Sequence, residues 1–90
     1  MTFETDKVND FLQNFEKNKT SIRGFEGCHH LELLQQADKP NVYFTYSWWD
    51  SPQSLENYRH SQLFKEVWTF TKSLFSDKPE AWSLNQKVKL

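Results

Sequence analysis

Residues 42–53, VYFTYSWWDSPQ, constrain this chain more than any other stretch. Val42 to Trp49 are almost all β-branched or aromatic, which suits a strand. Ser51 is a good helix N-cap, and Pro52 is preorganised for the first helical position. A strand ending at Trp49 or Asp50 must therefore turn straight into a helix. Any fold for this chain must lay a helix back over the sheet at that point.

The helix that starts there presents Leu55 and Tyr58 on its apolar face. Leu63, Phe64, Val67, Trp68, Thr71, Leu74 and Phe75 then recur at spacings of three and four, which predicts a second helical run. Ser61 stands between the runs and can cap the second, so a break or kink is expected near His60 and Ser61.

Upstream, HHLELLQQ (29–36) reads as a strand and ADKPN (37–41) as a turn. With 42–49 this makes an antiparallel hairpin. Residues 6–22 read as a helix, with Val8, Phe11, Leu12, Phe15 and Ile22 on one side. Thr5 is the expected N-cap, and Gly24 the stop that opens the RGFEG turn. SDKPE (76–80) leads to an expected last strand over 81–89, in which Trp82, Leu84 and Val88 share a face.

The order is helix, strand, strand, helix, strand. The fold class is α+β. A ferredoxin-like sheet needs one further strand before the first helix. Only MTFE is left to make it, so that strand is truncated, or the natural chain begins upstream of Met1, or a partner completes the pairing. Residues 1–90 are read as a single domain.

The chain holds 8 Phe, 4 Trp and 3 Tyr in 90 residues. Each aromatic buries roughly 150–250 Å², more than so small a core can hide. The excess belongs in a partner subunit or a ligand pocket, and a homodimer is expected. A formal net charge of −1, with Lys and Arg scattered, argues against a nucleic-acid partner. The N-terminus lacks the pattern of a signal peptide, and no run is long enough to span a membrane. With one cysteine, Cys28, no internal disulfide can form, so a cytoplasmic protein is expected.

The motifs for the common chemistries are missing. Cys28, His29 and His30 suggest a metal cluster, but adjacent strand residues point to opposite faces, so at most Cys28 and His30 point together, and a closed zinc site needs four ligands. No metal is expected, and Cys28 reads as a small buried thiol. Ser61 lacks a nucleophile elbow and reads as a cap. Gly24 and Gly27 are the only glycines, too few for a phosphate loop, so no nucleotide cofactor is expected.

Three stretches, FEGCHHLELLQ, FTYSWWDSPQSLENYRHSQLF and KPEAWSL, resemble the antibiotic biosynthesis monooxygenase family of dimeric α+β barrel proteins. The spacing from Trp49 to Phe64 is the most specific part. The resemblance implies a ferredoxin-like subunit whose sheet packs on a second subunit's sheet. It also implies a pocket between sheet and helices, and in some members cofactor-independent oxygenation of quinols or polyketide aromatics. Heme-degrading members resemble one another in an Asn on the first strand, a Trp on the kinked helix and a later His. Matched through Trp49 and Ser61, those last two positions hold Tyr58 and Trp68 here, and MTFE has no Asn. The heme branch is thereby disfavoured.

On that resemblance Tyr58 and His60 are the candidates for proton handling, His60 because its unperturbed pKa lies near neutrality. Trp49, Phe64, Trp68 and Phe25 are the candidate walls for a small aromatic substrate. The plainer reading has Tyr58 packed on the sheet, His60 in water, and the aromatic residues as ordinary core. The leading function is a monooxygenase without a cofactor. The alternative is a non-catalytic dimeric domain that binds a small apolar ligand or a protein.

Overall fold

The computed structural model describes residues 1–90. A 3-10 turn, Thr5–Lys7, leads into helix α1 (Val8–Arg23). Strands β1 (Cys28–Gln35) and β2 (Tyr43–Trp49) follow, then helices α2 (Pro52–Arg59) and α3 (Gln62–Lys72). Strands β1 and β2 form an antiparallel hairpin, with Leu31 opposite Ser47, Leu33 opposite Thr45 and Gln35 opposite Tyr43. The register slips between Cys28 and His30.

The first strand is present only as a stub. Thr2 bridges Val42 on one side, and Phe3 bridges Phe75 on the other. The Met1 ammonium and the Tyr43 carbonyl are 2.9 Å apart, and the Tyr43 N–H donates to the Met1 carbonyl at 2.8 Å. The stub therefore lies between β2 and the segment after α3. Short as it is, it is central to the core. Phe3 is fully buried, stacked on Phe11 at 4.2 Å and close to Tyr43 and Phe75. Burying one such side chain contributes roughly 1.5–3 kcal/mol.

Two expectations fail here. Thr5 does not cap α1. It begins the 3-10 turn, and neither that turn nor α1 has a side-chain cap at its start. The last strand over 81–89 does not form; beyond Phe75 the chain has no regular structure. A strand needs a neighbour with free backbone groups. The stub is the only such neighbour on that side, and residues 74–76 already use it: the Glu4 N–H donates to Leu74, and the Ser76 N–H to Thr2. Trp82, Leu84 and Val88 remain exposed.

The expected joints form. Ser51 caps α2, its hydroxyl accepting from the Ser54 N–H at 3.2 Å, with Pro52 in the first turn. The break between α2 and α3 falls at His60 and Ser61. Gly24 ends α1 in a right-handed conformation, whereas Gly27 carries the left-handed one, at φ 88°. A Cβ at Gly27 would also lie 2.5 Å from Ser54. Glycine is thus required where the turn before β1 touches the start of α2.

Candidate functional site

The helices cover one face of the hairpin, and a cavity of about 140 Å³ lies between them. Alternation along β2 decides which of its residues reach that cavity. Thr45, Ser47 and Trp49 face it. Met1 also lines it, helix α1 contributes Phe11, Asn14, Phe15 and Ile22, and β1 contributes Leu31. Tyr58 comes from α2, and Phe64, Val67, Trp68 and Thr71 from α3.

Four of the expected site residues come together here: Trp49, Tyr58, Phe64 and Trp68. Their rings form one continuous series. Trp49 stacks on Tyr58 at 5.1 Å, Tyr58 meets Phe64 edge-on at 5.2 Å, and Phe64 stacks on Trp68 at 5.9 Å. Phe25 stands behind this wall rather than in it. It packs edge-on against Tyr58 at 5.3 Å and Trp49 at 6.3 Å.

His60 is not brought to the cavity. It caps the end of α2, and its ring is 74% exposed, with Nε2 2.9 Å from Glu56 Oε1. Two residues on from Tyr58, a helical side chain points away from Tyr58's face. The break comes too late to turn it back, because α2 remains helical through Arg59.

Ser61 builds the corner of the site. Its hydroxyl donates to the Tyr58 carbonyl at 2.6 Å and accepts from the Phe64 N–H at 3.1 Å. One side chain thereby fixes the backbone of two wall residues from two helices. At the other end, the Arg23 guanidinium donates to the Cys28 carbonyl at 2.7 Å, tying α1 to the start of β1.

The polar side chains of the cavity are few and uncharged, and the one charged group among its lining residues is the Met1 ammonium. Trp49 Nε1 donates to Ser47 Oγ at 3.0 Å, which leaves the Ser47 O–H free to donate. Thr71 spends its hydroxyl on the Val67 carbonyl at 2.7 Å. The Tyr58 hydroxyl makes no hydrogen bond within the protein, although its residue is buried. Burial pushes the Tyr58 phenol up to about 12, with a smaller contribution from the nearby Cys28 sulfur. At neutral pH it is a protonated donor. No histidine or carboxylate lines the cavity.

The Cys28, His29 and His30 run departs from simple alternation, because the register slip turns Cys28 inward near Tyr58 while His30 lies beside Trp48. Cys28 is buried, His29 pairs with Asp50, and His30 Nε2 lies 2.5 Å from Glu32 Oε2. No three potential ligands converge anywhere in the fold. Asn14, Thr45, Ser47 and Thr71 were not singled out as site residues from the sequence. The signal for three of them was present: Thr45 and Ser47 share Trp49's face by alternation, and Thr71 lies seven residues after Phe64 on α3. Asn14 carried none, because its facing depends on how α1 rolls over the sheet.

The architecture has close structural counterparts. A conserved protein from Methanosarcina mazei Go1 superposes with a TM-score of 0.83 over 88% of this chain and 78% of its own, at 20% identity. A putative antibiotic biosynthesis monooxygenase from Nitrosomonas europaea superposes with a TM-score of 0.77 over 86% and 74%, at 19% identity. No curated protein sequence matches the chain significantly. The shared architecture is ferredoxin-like α+β, in which the Phe75 segment, the N-terminal stub, β2 and β1 lie side by side. The family model for antibiotic biosynthesis monooxygenase matches residues 1–68, a span that contains the β2–α2 corner and every aromatic wall residue of the cavity. This chain belongs to the antibiotic biosynthesis monooxygenase family.

Proposed function

We propose that this protein is a cofactor-independent monooxygenase acting on a small quinol-type aromatic. The observation that carries the reading is an apolar cavity lined by Tyr58, whose hydroxyl has no partner in the protein and stays accessible. A bound quinol oxygen supplies that partner. An ionised quinol is electron-rich and reduces O₂ itself; the ring anion and O₂ combine to a peroxide at a ring carbon, and a proton returned from solvent makes it the hydroperoxide. Loss of water from that carbon leaves a new carbonyl. The balance is hydroquinone plus O₂ giving hydroxyquinone plus water. Tyr58 stabilises the anionic oxygen as a neutral donor, and the aromatic walls exclude water from the intermediate. Tyr58 cannot act as the base, since its pKa lies near 12. The substrate's first proton goes to solvent before binding.

Oxygen uptake with hydroquinone, corrected for autoxidation, tests this. Uptake above background that falls in Tyr58→Phe supports it. Background rates across a panel of quinols would sink it. A second reading, a domain that binds an aromatic ligand without turnover, is favoured by the lack of any histidine or carboxylate in the lining. Saturable ligand binding without oxygen consumption would establish that one instead.

The working unit in this proposal is a homodimer in the cytoplasm. The hairpin face away from the helices carries Leu34, Phe44, Tyr46 and Trp48, each 39–44% exposed. A contiguous aromatic face of this kind is what a second copy would cover. No helix is long and apolar enough to cross a membrane.

A further inference from the structure

We propose that Trp68 limits the cavity to single-ring ligands, so that the substrate class is a monocyclic phenol or hydroquinone. This rests on the cavity being the substrate site, and it narrows that reading. An apolar cavity of about 150 Å³ holds one benzene ring. The cavity here is about 140 Å³ and open on one side, so it encloses one ring; the second ring of a fused quinol would project into solvent, and most of a tetrapyrrole would do so.

Trp68 sets that limit because it is held on two sides. It stacks on Phe64 with planes 11° apart and meets Phe75 edge-on at 5.6 Å. Phe75 in turn rests against the fully buried Phe3 at 5.3 Å. Swinging the indole aside would disrupt the Phe3 core, so the protein cannot widen the cavity at low cost. An indole is itself a two-ring group. Removing it adds room for about one more ring, less whatever the walls relax.

The polar lining selects within that size. The Tyr58 and Ser47 hydroxyls can each donate to an oxygen on the ring. No acidic side chain lines the cavity to compensate an ammonium group, so aromatic amines lose their hydration without recompense.

The test separates size selection from chemistry by using ligands inert to O₂. Binding of 4-methylphenol and 2-naphthol is measured calorimetrically on the wild type, Trp68→Ala and Trp68→Leu. The leucine variant keeps an apolar plug should alanine fail to fold. The wild type is expected to bind 4-methylphenol at least tenfold more tightly than 2-naphthol, and the folded variant to reverse that order. Equal or tighter wild-type binding of 2-naphthol overturns the proposal, as does an unchanged order in the folded variant. Size selection without oxygen uptake from hydroquinone overturns the oxygenase reading alone. No binding of either phenol to the wild type overturns both.

Discussion

The rings of Trp49 and Tyr58 lie stacked, 5.1 Å between centroids and 26° from parallel. One ends β2 and the other sits in the last turn of α2, with the Asp50–Ser51–Pro52 corner between them. The stack joins sheet to helix and at the same time forms the wall of the cavity. Fold and site therefore depend on the same contact, and the substitutions that tell them apart are those that keep the rings and change the edges.

Tyr58→Phe keeps the stack and removes only the hydroxyl. Because that hydroxyl makes no hydrogen bond within the protein, stability should change by no more than about 0.5 kcal/mol. A lost hydrogen bond to an anionic oxygen costs about 1.5–3 kcal/mol, so quinol-dependent oxygen uptake should fall about ten- to hundredfold. Thermal melts and an oxygen electrode on the same preparations check both halves.

The Tyr58 phenol also predicts a pH dependence of stability. Its pKa is about 12 in the folded protein, against 10.0 for the free side chain. Between those values the folded state holds a proton that the unfolded state has released. Stability from this group is therefore complete below pH 10 and is lost as pH rises through 12. Urea titrations from pH 9 upward should show a steeper decline for the wild type than for Tyr58→Phe.

Ser61→Ala should destabilise the protein by about 1–2 kcal/mol, since the hydroxyl caps α3 and also holds the Tyr58 carbonyl. Ser61→Asp should recover most of the cap, because aspartate also accepts from the Phe64 N–H, but it cannot donate to Tyr58. Denaturant unfolding of the two variants ranks these contributions.

His60→Ala should leave oxygen uptake within about twofold of wild type. The ring is exposed and its one hydrogen-bond partner is Glu56, and an exposed pair of this kind contributes about 0.3–0.5 kcal/mol. A large loss of rate in the folded variant would put His60 in the chemistry after all.

Phe44→Asp on the outer sheet face should shift the protein to monomer in sedimentation, because a carboxylate there would be buried unpaired in the proposed interface. Unchanged sedimentation would place the interface elsewhere.

Much of this was legible in the residues. Alternation in β2 divided its aromatics between two faces, and the Ser51–Pro52 and Ser61 signals located both helix starts. These are local rules: a cap or a pleat is decided within a few residues. Where the pattern depended on a distant neighbour it failed. Trp82, Leu84 and Val88 alternate as a strand should, yet they find no free edge to pair with, because residues 74–76 have taken the stub. The near pairing of Tyr58 and His60 in sequence suggested a shared site, but an unbroken α2 turns them apart.

Local residue patterns fix the order of elements from α1 through α3, the corner between β2 and α2, and an aromatic content too large for a simple core. Long-range packing sets which aromatics face one another across a cavity, how large that cavity is, and that Tyr58 lines it as a protonated donor. Those properties depend on how α1 and α3 settle over the sheet and on what is buried there, and neither is written in local spacing.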